Sequence, residues 1–566
     1  MRPIRILFAT AEASPYAKVG GLGDVIGSLP AVLNQSGCDA RVILPLYKTI
    51  KQQYIGQMQF LGWQMVKMGW RSLYAGLFSI VHDGVTYYFV DNEYYFNHDR
   101  IYVEYAFDME RFCFFQRAAL DFMGGFMDFE PDVLHCNDWQ TGMMPLLLDV
   151  HYKSRHIHDA VKTVYTIHNL KYQGVHSTEV IRDLLDLPEP YVTEEFCIKD
   201  DAVNFMKAGI VFANTVTTVS PTYAAEIMTP YFGEGLDGLL RHVSYKVTGI
   251  LNGINAAEFD PASDELLVQT YDIATWQTGK AANKQAVQEK LGLEPNPDAP
   301  LCVMISRLVD QKGLDLLLHV LEEMLFDGMQ VVIEGLGDIY YESTLAEIAN
   351  RHPKQMNAYL AYDNEMAHRL YAAADVFLMP SLFEPCGLSQ MISMRYGTIP
   401  VVRETGGLKD TVIPYNEVED AGTGFSYANI NAHEFLFTTK YACNTFRHKR
   451  DAWNRMVERG MSGDFSWQVS AREYVGVYSL ITGISLQGEE SESEPAAPAK
   501  AVPKTTKKPA STTKKTGDTK SVSGKKTVKK PVASPAKTSK AEAPKSPSTR
   551  SPVKKNTKPK KELNIE

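Results

Sequence analysis

Unbroken apolar runs alternate with longer stretches of helical periodicity along most of the chain. A strand that is buried on both faces reads as a continuous run of Val, Ile and Leu. Strands that alternate with helices predict an α/β fold built on parallel sheets. The predicted strands cover residues 4–10, 40–44, 85–90, 133–136, 163–167, 216–219, 246–250, 301–306, 329–334, 358–360, 376–380 and 400–403.

This pattern divides the chain into two α/β halves, a last helix and a tail. Residues 255–280 are rich in Asp and Ala and contain the turn-forming pair Asp260-Pro261, so we place the domain boundary there. We predict domains at residues 1–254 and 255–465, a C-terminal helical segment at residues 466–486, and a tail at residues 487–566.

The tail differs from the rest of the chain in composition. From Ser491 to Glu566 it contains 20 Lys and Arg, 6 Asp and Glu and no aromatic residue, so its net charge is +14, whereas the residues before it carry −23. A segment this polar buries too little apolar surface to offset its ordering entropy, and we predict that it is disordered. Its cations can neutralise phosphates. Nucleic acid or another polyanion is therefore a candidate partner, and a solubilising extension is the alternative.

The spacing of the cysteines and the hydropathy of the chain indicate the cellular compartment. The seven cysteines are scattered, and no pair has the spacing of metal ligands, so reduced cytoplasmic thiols are the simplest interpretation. The first predicted strand begins at residue 4, which leaves no space for a signal peptide before it. No apolar run reaches the roughly 18 residues that span a bilayer. We predict a cytoplasmic protein that does not enter the membrane.

Three cations follow predicted buried strands, namely Lys18, Arg307 and Lys312. In an open parallel sheet, ligands collect beyond the carboxyl ends of the strands, so these cations lie where a phosphorylated ligand would bind. Because Lys18 comes from the first half and the other two from the second, we predict two domains that close on one anionic substrate. The alternative is that all three are solvated loop cations.

The glycine-rich segment KVGGLGD (18–24) differs from a dinucleotide-binding fingerprint. The order G-x-G-x-x-G is absent, and no acidic residue follows the next strand to hold a ribose, which disfavours a dehydrogenase. Its glycines, Gly21 among them, still let backbone N–H groups approach an anion at a helix N-terminus. A tight strand–helix turn is the structural alternative.

Glu384 and Ser389 belong to the segment EPCGLS (384–389), which joins a predicted strand to a helix. Glu384 can bind sugar hydroxyls or balance positive charge at an anomeric carbon, and Ser389 can hold phosphate. The alternative for Glu384 is a helix N-terminal residue favoured by the helix dipole. Cys386 is interpreted as a packed thiol, because no suitable His base is identifiable.

Asp138 and His168 each follow a predicted strand in the first half. A single Asp or His in that place is often only a turn former, but their matched positions favour a shared site. His156 and His158 are interpreted as loop residues, and we predict no metal site.

Several of these residues lie in segments that share one pattern over roughly residues 4–480. The segments read KVGGLGD (18–24), HCNDWQ (135–140), YTIHN (165–169), LNGI (251–254), SRLVDQKG (306–313), SLFEPCGL (381–388) and ETGGL (404–408). Together they resemble the bacterial glycogen synthase and plant starch synthase family, glycosyltransferase family 5.

The resemblance implies a GT-B fold, in which two Rossmann-like domains face a cleft. It implies a hexosyltransferase that moves glucose from ADP-glucose to the non-reducing 4-OH of an α-1,4-glucan such as glycogen or a starch primer, with retention of configuration and without a cofactor. The last helix would return to the first domain and act in the hinge. The positions carried over are Lys18, Arg307 and Lys312 for the diphosphate, with Gly21 and Ser389 assisting; Tyr362 for stacking on adenine; Asp138, His168, Asn252 and Glu384 for the glucosyl group; and Gly406 and Gly407 for substrate binding.

Three positions depart from the family pattern. Val19 stands where many members have Thr, and Ser389 replaces a common Thr while keeping the hydroxyl. Ile392 stands where the broader E-x7-E pattern has its second Glu, so no carboxylate pair can be assigned as acid and base. A mechanism in which the leaving phosphate deprotonates the acceptor therefore fits better than a covalent intermediate. The alternatives are a retaining transferase that uses UDP-glucose and a non-catalytic glucan-binding protein tethered by its tail.

Overall fold

The apolar runs of the sequence form the strands of two main sheets in the computed structural model, which describes residues 2–486. The predictions made for residues 487–566 lie outside this part. In chain order the strands are β1 (Arg5–Ala9), β2 (Asp39–Pro45), β3 (Gln59–Met68), β4 (Arg71–His82), β5 (Val85–Asp91), β6 (Val133–Asn137), β7 (Lys162–Ile167), β8 (Val175–Ser177), β9 (Ile198–Lys199), β10 (Ala202–Asn204), β11 (Thr215–Thr218), β12 (Val247–Gly249), β13 (Leu301–Ile305), β14 (Gln330–Glu334), β15 (Met356–Tyr359), β16 (Val376–Met379), β17 (Ile399–Arg403) and β18 (Phe425–Tyr427).

The first main sheet has the order β12-β11-β7-β6-β1-β2-β5-β4-β3 within the described residues. Its strands are parallel from β12 to β5, whereas β4 and β3 are antiparallel additions at one edge. The second main sheet has the order β15-β14-β13-β16-β17-β18 and is parallel throughout. The short strands β8, β10 and β9 form a small antiparallel sheet. The α/β fold class predicted from the sequence is confirmed.

Helices cover both main sheets, which is why their central strands are almost fully buried. In chain order the helices of the described part are α1 (Gly21–Gln35), α2 (Lys48–Tyr54), α3 (Glu93–Phe96), α4 (Tyr105–Phe122), α5 (Met144–Leu147), α6 (Thr178–Val180), α7 (Phe205–Phe212), α8 (Pro221–Glu226), α9 (Asp237–His242), α10 (Trp276–Leu291), α11 (Leu314–Phe326), α12 (Ile339–Arg351), α13 (Asn364–Ala373), α14 (Ser389–Arg395), α15 (Gly406–Thr411), α16 (Ala432–His448), α17 (Arg450–Met461) and α18 (Trp467–Thr482).

Every predicted strand overlaps an observed one, but the sequence pattern missed β3, β4, β18 and the small sheet. In β3, exposed residues such as Trp63 and Met65 alternate with more buried ones. An antiparallel edge strand faces water on one side, so it lacks the unbroken apolar run by which the buried strands were recognised.

The last helix, α18, packs on strands of the first sheet. The hydroxyl of Tyr478 lies 2.8 Å from Nδ1 of His135 in β6, and Ser470 donates a hydrogen bond to the carbonyl of Leu251 at 2.5 Å. Residues 2–486 belong to one compact unit, so the predicted domain boundary at residue 254 stays a prediction. In this part of the chain, no helix combines the length and the apolar character needed to cross a membrane.

Candidate functional site

A cleft of about 1240 Å³ opens where strands of both main sheets end. Its walls include residues that follow β1, β6, β7 and β12 of the first sheet and β13, β15 and β16 of the second. Ten of the twelve predicted site residues line it, and they are Lys18, Gly21, Asp138, His168, Asn252, Arg307, Lys312, Tyr362, Glu384 and Ser389. Ligand sites of parallel sheets occupy this end of the strands, so the topology explains the convergence.

Lys312 and Glu384 form an ion pair on the second-sheet side of the cleft. The Lys312 ammonium donates to Oε2 of Glu384 at 2.6 Å, and the Ser381 hydroxyl donates to the same oxygen at 3.1 Å. Glu384 is only 6% exposed. These contacts hold the Glu384 carboxylate and the Lys312 ammonium together at the cleft wall, and both residues line the cleft.

The other two predicted cations differ in their contacts. Arg307 is exposed and forms no ion pair with any residue of the described part. Lys18 pairs with Asp24 of α1 at 2.6 Å on the opposite wall. The cleft therefore presents cations from both halves of the chain.

The glycine-rich turn before α1 is held by Glu12, which the sequence analysis missed. Oε2 of Glu12 accepts hydrogen bonds from the backbone N–H groups of Val19 at 2.7 Å and Gly20 at 3.0 Å. Oε1 accepts one from the Tyr102 hydroxyl at 2.6 Å. The N–H groups of Val19 and Gly20 are therefore engaged within the protein, and Gly21, the first residue of α1, lines the cleft.

Asp138 adopts a strained backbone conformation directly after β6. Its φ of 53° and ψ of −173° lie in a region that is almost restricted to glycine. Its Oδ1 accepts a hydrogen bond from the His168 N–H at 2.8 Å. Burial raises the pKa of Asp138 to about 7, against the lowering effect of the backbone N–H donors. Such strain costs on the order of 1–3 kcal/mol and clusters at active sites.

His168 is neutral at physiological pH in this setting. Burial lowers its pKa to about 3. Its Nε2 lies 2.9 Å from Oδ1 of Asn137, whose amide nitrogen donates to the carbonyls of Ala9 and His135. Because that Asn137 oxygen is an acceptor, Nε2 of His168 carries the proton and Nδ1 is left to accept a hydrogen bond from a ligand.

Tyr362, Ser389 and Asn252 lie at different parts of the cleft. Tyr362 follows β15 and is 83% exposed, so its ring is open to a planar group. Ser389 is the first residue of α14. Asn252 is buried, and its Oδ1 has no hydrogen-bond partner among the described residues.

Gly406 and Gly407 do not line the cleft, and their assignment as substrate-binding residues stays a prediction. A Cβ atom at Gly406 would lie 2.0 Å from the carbonyl oxygen of Glu384, and one at Gly407 would lie 2.1 Å from that of Cys386. The Gly407 N–H donates to the Glu384 carbonyl at 3.2 Å. These glycines lie behind the segment 384–387 and allow α15 to approach it closely.

Two interpretations made from the sequence concern Glu384 and Cys386. Glu384 lies five residues before α14, whose N-terminus is at Leu388 and has no side-chain cap, so Glu384 is not a helix-capping residue. Cys386 is buried, and burial raises the pKa of its thiol to about 12, which is unfavourable for a nucleophile. Within residues 2–486, no group of three or more His, Cys, Asp or Glu side chains is arranged to hold a metal ion.

Sequence reasoning missed a second acidic residue at the cleft. Glu334 ends β14 and lines the cleft beside Tyr362 and Asp363. Glu12 and Glu334 carry the same signal, an acidic residue at or just beyond the end of a predicted strand. Asp138 carries the same signal after β6.

Two family models match the chain. Residues 5–242 match the starch synthase catalytic domain, and residues 288–438 match the glycosyl transferases group 1. A protein of Exiguobacterium sibiricum named glycogen synthase is 48% identical over 480 residues, which cover 84% of this chain and 99% of the relative. A Clostridium novyi protein of the same name is 47% identical over 479 residues, with coverage of 84% and 99%.

Solved structures with the same arrangement are known. The catalytic domain of starch synthase IV from Arabidopsis thaliana, bound to ADP and acarbose, has a TM-score of 0.79 and 33% identity, and the match covers 85% of this chain and all of that one. Sucrose-phosphate synthase from Thermosynechococcus elongatus has a TM-score of 0.54 at 16% identity, with coverage of 86% and 100%, which indicates a shared fold alone.

Proposed function

The chain belongs to the glycogen synthase family, and we propose that it transfers glucose from ADP-glucose to the non-reducing 4-OH of an α-1,4-glucan with retention of configuration. The family and the GT-B fold predicted from the sequence segments are confirmed. The observation that supports the proposed chemistry best is one cleft in which Arg307 and the Lys312–Glu384 pair lie on one wall and Asp138 and His168 lie on the other.

The first role in this proposal is that of the cations. As the bond between the anomeric carbon and the diphosphate breaks, negative charge develops on the leaving phosphate. Preorganised cations stabilise that charge, and Arg307 can bind two phosphate oxygens while Lys312 acts as a point charge. Lys18, from the first domain, would reach the same group when the domains close.

Retention follows from a reaction on a single face of the sugar. The bond from C1 to the phosphate oxygen breaks, the acceptor O4 forms a bond to C1 on the same side, and the acceptor proton passes to the leaving phosphate oxygen. Glu384 balances positive charge at C1 as the bond lengthens. Ile392 occupies the place of the second Glu in the E-x7-E pattern, so this proposal needs no paired carboxylate there.

Asp138, His168 and Asn252 bind the glucosyl hydroxyls in this proposal. Nδ1 of His168 can accept from one hydroxyl, since Nε2 is occupied by Asn137. The unpartnered Oδ1 of Asn252 can accept from another. The strained backbone of Asp138 holds its carboxyl at the same end of the sheet.

The proposal is tested by measuring ADP release from ADP-glucose with and without glycogen, together with the anomeric configuration of the new linkage. We expect release that depends on glycogen and an α-1,4 product. Binding of glucan without turnover would instead identify a non-catalytic glucan-binding protein.

The exposed ring of Tyr362 leads to a prediction about the nucleotide. Stacking on adenine contributes on the order of 1 kcal/mol, so Tyr362→Ala should raise KM for ADP-glucose about fivefold while kcat changes little. Tyr362→Phe, which keeps the ring, serves as the matched control and should retain the wild-type KM. If the wild type uses UDP-glucose equally well, the choice of ADP-glucose is wrong.

The cysteines support the predicted cytoplasmic location. All seven are unpaired and buried, and the sulfur atoms of Cys302 and Cys443 lie 4.0 Å apart without a bond. Unpaired thiols are typical of reducing compartments. We propose that the enzyme works in the cytoplasm.

The basic tail lies outside the described residues, and we propose from its sequence that it binds a polyanion such as DNA. The 480 residues matched to the Exiguobacterium protein cover 99% of that relative, so the tail has no counterpart there. Its net charge of +14 lets it neutralise phosphates and release counterions. Glycogen carries no charge and offers the tail no electrostatic attraction.

Deletion of residues 491–566 should leave glucosyl transfer essentially intact, because every proposed site residue precedes the tail. The full-length protein should bind double-stranded DNA at low salt, with an affinity that falls steeply as salt rises, and the deletion should abolish this binding. A full-length variant in which each tail Lys is changed to Gln keeps the length of the tail but removes its lysine charges. It therefore distinguishes an effect of charge on DNA binding from an effect of tail length. Absence of low-salt binding, or binding that survives the deletion, would contradict the polyanion role.

A further inference from the structure

Glu334 occupies the carboxyl end of β14, next to the strand whose loop carries the predicted phosphate cations. In the parallel register Glu334 lies beside Ile305, the last residue of β13, and the Ser306 N–H donates to the Glu334 carbonyl at 3.0 Å. Arg307 follows directly. The Glu334 carboxyl group is therefore one strand away from the start of the phosphate-binding loop.

The side chain of Glu334 is buried without a complete set of partners. It is 3% exposed, and its Oε1 accepts a hydrogen bond from the Asp363 N–H at 3.3 Å. Its Oε2 has no partner among the described residues, although the residue lines the cleft. Burial, with the nearby charge of Asp363, raises its pKa to about 8. Buried polar atoms are normally hydrogen-bonded, so this oxygen is free to accept a hydrogen bond from a group bound in the cleft.

The order of strands assigns a place to each part of a nucleotide. Across the sheet, β15, β14 and β13 are neighbours. Tyr362 follows β15 and Arg307 with Lys312 follow β13, so in the proposed function the base lies beyond β15 and the diphosphate beyond β13. Neighbouring strands are about 4.8 Å apart. The ribose, which joins base to diphosphate, then lies beyond β14, where Glu334 ends the strand.

We propose that the Glu334 carboxyl group accepts hydrogen bonds from the ribose hydroxyls of the donor nucleotide and so determines specificity for a ribonucleotide. An acidic residue at the end of the strand after a phosphate-binding turn has this role in dinucleotide-binding Rossmann folds. The sequence lacks such a residue in the first domain, and the structure places one in the second. This inference rests on the proposed function, because it takes the base and diphosphate positions from it.

The test compares the affinities of ADP, 2′-deoxy-ADP and 3′-deoxy-ADP by calorimetry. The proteins are the wild type, Glu334→Leu, Glu334→Gln and the control Glu347→Gln, which changes an exposed residue of α12. We expect the wild type and the control to lose about tenfold or more in affinity when the bonded hydroxyl is removed. Glu334→Leu should bind all three ligands within about twofold of one another.

Glu334→Gln keeps the shape of the side chain and one neutral acceptor, so its discrimination should be intermediate. If thermal melting shows that Glu334→Leu does not fold, Glu334→Gln replaces it in the comparison with the wild type. The inference is wrong, and the proposed function is unaffected, if the folded Glu334 variants distinguish ADP from its deoxy analogues as well as the wild type does. The same holds if the wild type binds ADP and both deoxy analogues equally well. A wild type that binds no ADP would overturn the proposed function and this inference with it.

Discussion

Replacement of Lys312 or Arg307 by alanine is expected to lower kcat by roughly 10²–10³, the effect of losing one preorganised transition-state contact. Both side chains lie on the wall of the cleft where the leaving diphosphate is proposed to bind. Initial-rate measurements of ADP release, with substrate above KM, give kcat directly. Lys409→Ala changes an exposed lysine outside the cleft lining and should keep the wild-type rate.

The two alanine variants should differ in stability. Arg307 is exposed and without an ion pair in the described part, so its loss should leave Tm unchanged. Loss of Lys312 leaves the buried Glu384 without its cation and should lower Tm, since an uncompensated buried charge is costly. Rates near the wild-type value in either folded variant would refute the proposed phosphate clamp.

Substitution of Glu384 by Gln should also lower kcat by about 10² or more. The change keeps the shape of the side chain and removes the charge that faces the anomeric carbon and holds Lys312 at 2.6 Å. Because Glu384 does not cap α14, only a modest change in Tm is expected. Glu419→Gln, at an exposed position, is the matched control.

A double variant tests whether Lys312 and Glu384 act together in catalysis. Lys312→Ala and Glu384→Gln remove two members of one contact, so their combined effect on kcat should be smaller than the product of the separate effects. A fall in Tm with an unchanged kcat in Glu384→Gln would show that the residue is structural. Effects that multiply fully would show that the two side chains act independently.

The local pattern of the sequence was sufficient to predict the parallel strands and the residues that follow them. A buried strand requires a continuous apolar run, and the carboxyl ends of such strands share one edge of a sheet. The positions of Lys18, Asp138, His168, Arg307 and Glu384 at one cleft could therefore be predicted without coordinates. The charge contrast of the tail is likewise a property of composition alone.

Tertiary packing decided the contacts that the chain order does not contain. Glu12 engages the Val19 N–H, Lys312 pairs with Glu384 across 72 residues, and Gly407 supports the segment of Glu384 from behind the cleft. Each contact depends on which strands are neighbours in a sheet and on how closely the helices approach them. The pattern of apolar and polar residues along the chain does not reveal either of these features. The sequence by itself determined which strands are buried and which residues end them. Only the folded sheets decided which of those residues come into contact, because strand pairing and helix packing, rather than position along the chain, set the distances between strands.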